Sequence, residues 1–270
     1  MTNCATRPFD DEAALTVSVV IPFYNSATTL ERALTSVTKQ TRPALEILIV
    51  DDASSDAQAA LAASIVAEFK AARLLHHDRN KGPSAARNTG TKAARGNYVA
   101  FLDADDYWID DKLEQCLHVM NERAIDFIGH NNIVCGLSKR TINDQIRFSR
   151  PLYRMNILDI LISTSQFAPS TVVFRKGAMP VIFDESIFLS EDYRLWGELV
   201  FGGFELWKLQ RALSVREEPH IRGNGLSGNV EKLLSAHVAT IKHFAAKGFI
   251  SESFAQWAML FMKLKFIRHR

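Results

Sequence analysis

The chain has 270 residues, 47% of them hydrophobic and 23% charged, with a formal net charge of +2. That length suits one large domain or one domain with an extension, and the near-neutral charge excludes the basic footprint of a nucleic-acid binder. The three cysteines, Cys4, Cys116 and Cys135, lie too far apart for a metal finger or a disulfide framework and suit a reducing cytoplasm.

The sequence predicts a loose polar leader over residues 1–15, with acids at Asp10, Asp11 and Glu12 and no apolar signal core. Val17 to Pro22 then reads as a β-branched buried strand. Pro22 ends it, Phe23-Tyr24-Asn25 forms a loop, and Asn25 or Ser26 supplies the cap of a helix over 27–40 whose apolar face is Leu30, Leu34 and Val37. A second strand, Leu45 to Val50, runs into Asp51-Asp52. Ser54-Ser55-Asp56 turns into a helix marked by Leu61, Ile65 and Phe69. A short third strand at Ala72 to Leu75 is followed by Asn80-Lys81-Gly82-Pro83-Ser84. Ser84 is expected to cap a third helix, whose small residues Ala85 and Ala86 allow close packing. The fourth strand, Tyr98 to Leu102, ends in Asp103, Asp105 and Asp106. Strands and helices alternating with short loops imply a parallel sheet.

Beyond Asp106 the pattern loosens. Asp110 or Asp111 opens a helix with Leu113, Leu117 and Met120 on one face. Strands are expected at 125–129 and 170–174, and a short helix at 157–162. Residues 138–150 carry no clear period. Ser190 opens a helix with Glu191 and Asp192 in its first turn, where acids also suit the helix dipole. Arg216 to Ser227 reads as a loop, and amphipathic helices at about 229–246 and 251–267 close the chain. Gly223 to Gly228 spells a dinucleotide fingerprint, but only helices follow it, so it is not one; a flexible lid fits that stretch better. The mixed basic and aromatic end, Phe261 to Arg270, suits contact with an anionic membrane surface. No apolar run reaches the roughly 18 residues of a membrane span.

The chemistry gathers at the carboxyl ends of the strands, where open α/β sheets bind ligands. Pro22 to Asn25, Asp51 to Asp56 and Asp103 to Asp106 line one edge. Carboxylates crowded in this way repel one another unless a cation neutralises them, which a divalent metal does well.

Ile21-Pro22-Phe23-Tyr24-Asn25, Val50-Asp51-Asp52-Ala53-Ser54-Ser55-Asp56, Asn80 to Gly90 and Phe101-Leu102-Asp103-Ala104-Asp105-Asp106 together closely resemble the inverting glycosyltransferases of family two. The resemblance is strong over about 16–110 and continues weakly to Glu191-Asp192. It implies a Rossmann-like α/β fold of the GT-A type, a mostly parallel central sheet flanked by helices, with a C-terminal helical extension. The expected division is a leader (1–15), a transferase domain (16–228, its nucleotide-sugar half 16–110 and its acceptor half 111–228) and C-terminal helices (229–270).

By the same resemblance the donor is a nucleotide-diphospho-sugar, usually UDP-linked, bound with Mg²⁺ or Mn²⁺. Pro22 and Tyr24 flank the base, with Asn25 beside them, and Asp52 with Asp51 accepts the base imino N–H. Lys81 and Arg87 approach the diphosphate or ribose, Asp103 holds ribose hydroxyls, and Asp105 binds the metal. His220, with Arg222 near it, offers a further metal or diphosphate contact. Asp192, with Glu191 beside it, is the general base that deprotonates the acceptor hydroxyl. The implied role is synthesis of a surface polysaccharide or lipopolysaccharide on a glycan or lipid-linked acceptor, in the cytoplasm or peripherally at the inner face of the membrane. The alternatives are a non-catalytic nucleotide-sugar binder or an aspartate-type phosphatase.

Overall fold

A computed structural model describes residues 12–135, 140–142, 151–162, 167–217 and 230–267. The expected leader up to residue 11, most of the unpatterned stretch 138–150, and the loop with His220, Arg222 and the glycines lie outside these residues.

The four expected strands are β1 (Val17–Phe23), β2 (Glu46–Asp51), β3 (Ala72–His76) and β4 (Tyr98–Phe101). They run parallel in the order β3-β2-β1-β4. Helices α1 (Ala27–Thr38), α2 (Asp56–Ala67) and α3 (Gly82–Ala93) connect them. The alternation of β1 divides the core. Val17, Val19 and Ile21 face the layer of α1 and α2, while Val20 faces the opposite layer. Helix α3 sits very close on that second face. A Cβ at Gly90 would stand 2.3 Å from Val20 Cγ1, so only glycine admits this approach.

The caps differ from expectation. Ser26 is the N-cap residue of α1, but its side chain makes no cap hydrogen bond; its hydroxyl donates to the Tyr24 carbonyl at 2.7 Å. Helix α3 starts at Gly82 rather than at Ser84, because Gly82 takes the left-handed φ of +87° that turns the chain in. The Ser84 hydroxyl instead donates to the Ile187 carbonyl at 3.2 Å.

The second half is mixed. It contains β5 (Asp106–Trp108), α4 (Lys112–Glu122), β6 (Phe127–Cys135), β7 (Arg140–Ile142), β8 (Leu152–Arg154), α5 (Ile157–Ile162), β9 (Val173–Arg175), α6 (Glu191–Phe201) and β10 (Trp207–Glu217). Helices α7 (Val230–Ala246) and α8 (Glu252–Ile267) follow. The sheet continues β4-β9-β6-β10-β5, with β7 and β8 off this path. Strand β9 is antiparallel to both its neighbours, whereas β10 is parallel to β6 and antiparallel to β5. The sheet curls back on itself, since four strand spacings of about 4.8 Å exceed the reach of the few residues between β4 and β5 (at most about 3.6 Å each).

Four expectations need correction here. Strand β1 does not end at Pro22 but runs on through Phe23, which pairs with Asp51. The strand predicted at 170–174 is a 3₁₀ turn, Pro169–Thr171, followed by the short β9. The strand predicted at 125–129 runs on to Cys135. Arg216, assigned to a loop, lies in β10, a strand that the sequence pattern does not reveal because register shifts between Leu209, Ala212 and Ser214 break its alternation.

Candidate active site

The loops after β1 and β2 are stitched together. The Asn25 N–H donates to Ser54 Oγ at 2.9 Å, and the Ser55 N–H donates to Asn25 Oδ1 at 2.9 Å. Asn25 itself takes a positive φ of 50°, a conformation that Asn tolerates better than most residues. This leaves Tyr24 with its side chain open to solvent and Pro22 partly covered.

Asp51 and Asp52 are both buried and both engaged. Asp51 Oδ1 accepts the Ser54 N–H at 3.0 Å, and its Oδ2 meets His76 Nδ1 at 3.2 Å. Asp52 accepts the Lys81 N–H at 2.8 Å and the Gly82 N–H at 2.7 Å, and lies 2.7 Å from His77 Nδ1. The other nitrogen of His77 is 2.9 Å from Thr89 Oγ1. Asp52 thus caps α3 from a distance, satisfying backbone donors that a helix start leaves open. These histidines show no ligand spacing in the sequence. The signal was present, since parallel pairing brings two consecutive acids at the end of β2 beside two consecutive histidines at the end of β3. Lys81 points elsewhere, its ammonium 2.7 Å from Asp78 in an exposed pair.

Arg87 joins the two halves of the site. Its side chain is buried, Nη2 donates to Asp103 Oδ1 at 2.7 Å and Nη1 donates to Glu191 Oε1 at 2.7 Å. Burial disfavours the cation, but Asp103 and Glu191 outweigh it and hold the guanidinium charged. The residue expected near the diphosphate or ribose is therefore committed to tying the end of β4 to the start of α6. That start is strained, because Ser190 adopts φ 61° and ψ 32° without being glycine. Asp192 follows in the first turn, and its Oδ1 accepts the Tyr193 N–H at 2.7 Å. Burial, then the neighbouring Glu191 carboxylate, pushes the Asp192 carboxyl up to about 7.

The acids after β4 divide by environment. The Asp103 N–H donates to Ser170 Oγ at 3.0 Å, and the Ser170 carbonyl accepts Trp108 Nε1–H at 2.8 Å. Asp106 is buried, and burial followed by Asp103 and Asp105 raises it to about 8, against a hydrogen bond from Ser170. Asp105 stands at the exposed rim. Loss of water on its protein side and the Asp103 charge raise its pKa, while Arg216 and Arg32 pull it back. Arg32 Nη2 donates to the Asp105 carbonyl at 2.7 Å and its guanidinium lies 4.9 Å from the Tyr107 ring centroid. Arg216 sits opposite Asp106 in the β10–β5 pairing. Sequence reasoning missed Arg32 and Ser170; nothing in their local sequence marks them.

Among the described residues no group of three or more His, Cys, Asp or Glu encloses a metal position. The donor set nevertheless fits a hard divalent cation, since Mg²⁺ is held by one or two carboxylates together with substrate phosphates rather than by a protein cage. Asp105 has the required exposed carboxylate, and repulsion from Asp103 is what a cation relieves. His220 lies outside the described residues.

Residues 18–183 match the family described as Glycosyl transferase family 2, a span that ends before Glu191. Succinoglycan biosynthesis protein ExoO of Rhizobium meliloti is 31% identical over 255 residues, which cover 86% of this chain and 70% of that protein. UDP-Glc:alpha-D-GlcNAc-diphosphoundecaprenol beta-1,3-glucosyltransferase WfgD of Escherichia coli is 33% identical over 190 residues, 67% of this chain and 68% of that protein. An uncharacterized glycosyltransferase of Rickettsia felis is 37% identical over 188 residues, 67% of this chain, but the chain spans only 29% of its length. The structure of S. aureus TarS 1-349 in complex with UDP-GlcNAc superposes with a TM-score of 0.68 at 21% identity, over 90% of this chain and 70% of that one. At that identity the likeness establishes the fold, a curled α/β sheet of the GT-A type with helices following it. Since the family match takes in β1 through β9 and with them the stitched loops, Arg87 and the acids after β4, this chain belongs to glycosyl transferase family 2.

Proposed function

We propose that this chain transfers a sugar from a UDP-sugar to a hydroxyl of a lipid-linked glycan, with inversion at the anomeric carbon. The observation that carries this reading is the Arg87 bridge. By pairing with Asp103 and Glu191 at once, it holds Asp192 beside the acids after β4 while neutralising the carboxylate next to the base. The names of relatives support the substrate class, since WfgD is named for UDP-Glc and a GlcNAc-diphosphoundecaprenol acceptor, and ExoO for succinoglycan biosynthesis.

In this reading the donor lies beyond the ends of β1, β2 and β4. Tyr24 offers its exposed ring to the base, with Pro22 beside it. Asp51 and Asp52 hold the loop frame and offer their remaining lone pairs, and Asp103 offers Oδ2 to the ribose. Asp105 holds Mg²⁺ or Mn²⁺, which when bound screens the charge that grows on the leaving diphosphate. Asp192 takes the proton of the acceptor hydroxyl as that oxygen attacks the anomeric carbon and the bond to the diphosphate breaks. A carboxylate with a pKa near neutrality suits this base, because about half of it is ionised at pH 7 and it is still basic enough to accept the proton.

Titration calorimetry with UDP, GDP and dTDP, each with Mn²⁺ or with EDTA, tests the donor site. The expected result is binding of UDP that weakens in EDTA. Folded protein that binds none of the three would overturn the proposal. Transfer from UDP-glucose to a GlcNAc-diphosphoundecaprenol analogue then tests the acceptor class.

A further inference from the structure

Helix α8 is apolar on two sides. Ala255, Ala258 and Met262 face inward and belong to the core layer that also holds Trp196 and Phe244. On the outer side Trp257, Leu260 and Leu264 are 46%, 58% and 54% exposed. Their spacing of three and four residues puts them on one stripe of the helix. The rings of Phe254, Trp257 and Phe261 stack along it, with centroids 5.5 and 5.7 Å apart. An exposed apolar stripe of this kind on a helix already packed by its other face ordinarily marks an interaction surface.

Charge identifies the cover. From Glu252 to Arg270 the sequence holds Lys263, Lys265, Arg268 and Arg270 against Glu252 as the one acid. An exposed Trp and Leu stripe on a net-basic segment suits an interface of apolar chains beneath anionic headgroups. A protein partner would need a matching acidic groove, and a second copy of this stripe would bring like charges together.

We propose that the outer face of α8 rests on an anionic lipid bilayer, with Trp257, Leu260 and Leu264 at the boundary between headgroups and acyl chains. The helix is joined to the candidate site through packed structure. Helix α8 packs on α7, α7 packs on α6, and Tyr193, next to Asp192, lies edge-on to His237 of α7 with ring centroids 4.6 Å apart. The surface thus anchors the element that carries the base where a lipid-borne acceptor is found. The benefit to catalysis rests on the proposed function; the docking itself does not.

Co-sedimentation tests the docking, using vesicles of phosphatidylcholine alone and vesicles of equal parts phosphatidylglycerol and phosphatidylcholine. The protein should sediment with the anionic vesicles and be released by added salt. The double variant Leu260→Ser, Leu264→Ser should lose about tenfold or more of that partitioning while its helical circular dichroism and cooperative thermal melt stay those of the parent protein, which shows that the fold is intact. No sedimentation with anionic vesicles, or sedimentation equal in the variant, overturns the proposal. So does a dimer in light scattering that the same variant dissociates, since the stripe then belongs to a second copy. A protein that binds vesicles but no nucleotide leaves the docking standing and removes the donor reading.

Discussion

The two halves of the sheet treat their buried charges differently. On the parallel side almost every buried charge meets a partner. Glu46 receives the Ser18 hydroxyl at 2.7 Å, the Arg95 N–H at 2.6 Å and Arg95 Nε at 3.0 Å, and although burial opposes ionisation these donors hold its carboxyl below the usual range. Asp51 and Asp52 are matched in the same manner, and Arg87 meets a carboxylate with each Nη, its buried Nε alone lacking a hydrogen-bond partner. On the β6–β10–β5 side the Lys112 ammonium is fully buried, lies 3.5 Å from the centroid of the Trp108 ring and has no hydrogen-bond partner, nor do His130 Nε2 and Ser214 Oγ. Burial pushes Lys112 down to about 7 and leaves His130 well below its ordinary value. The lesson is geometric. Parallel register and tight loops bring partners in together, as at Asp51 and His76. Lys112, His130 and Ser214 come from three separate elements that meet only in the assembled fold.

Asp192 sits at the seam between these halves, and its removal has the largest expected effect. Asp192→Asn should keep donor binding and lower transfer by about 10²–10⁴-fold, measured as initial rates at saturating donor. In the parent protein the carboxylate must be ionised to act, so the rate should fall about tenfold per pH unit below a pKa near 7. A flat profile from pH 5 to pH 8 would remove Asp192 as the base.

Breaking the matched half should be costly. Asp52→Ala strands the Lys81 and Gly82 N–H groups and His77, and should lower stability by about 3–5 kcal/mol in chemical denaturation. If the loss is under about 1 kcal/mol, water replaces the carboxylate and the contrast between the halves is weaker than the geometry implies.

The unmatched half should respond with the opposite sign. Lys112→Met removes an unpaired buried amine and should raise stability at pH 7 by about 1–4 kcal/mol. Between about pH 7 and 10.5 the unfolded chain binds a proton that the folded chain does not. Stability of the parent protein should therefore rise with pH across that window, and the advantage of the variant should shrink. Thermal melts of both proteins at several pH values decide this.

The smallest effect separates two neighbours of like chemistry. The His77 side chain is 5% exposed and bridges Asp52 to Thr89, while that of His76 is 58% exposed over Asp51. His77→Ala should cost about 1–3 kcal/mol and His76→Ala within about 0.5 kcal/mol. Equal costs would mean that register, not burial, sets the value of these pairs.

The sequence by itself determined the succession of β1 to β4 and α1 to α3 along the chain, their parallel direction, and the clustering of Pro22 to Asn25, Asp51, Asp52, Asp103 and Asp105 at one sheet edge. These follow from local apolar periods and from the rule that alternating elements build a parallel sheet, so no distant contact had to be known. Glu191 and Asp192 were legible as a pair at a helix start, but not their neighbour. Only the tertiary structure decided that Arg87 reaches Glu191 across 104 residues of chain while holding Asp103 as well, that Ser170 supports the turn after β4, and that Arg32 and Arg216 flank Asp105. Strand β10, too, was decided there, since its bulged register hides the two-residue period. Each of these depends on side chains from distant elements converging where the sheet curls, and a hydrogen bond across such a distance leaves no trace in the spacing of the residues that make it.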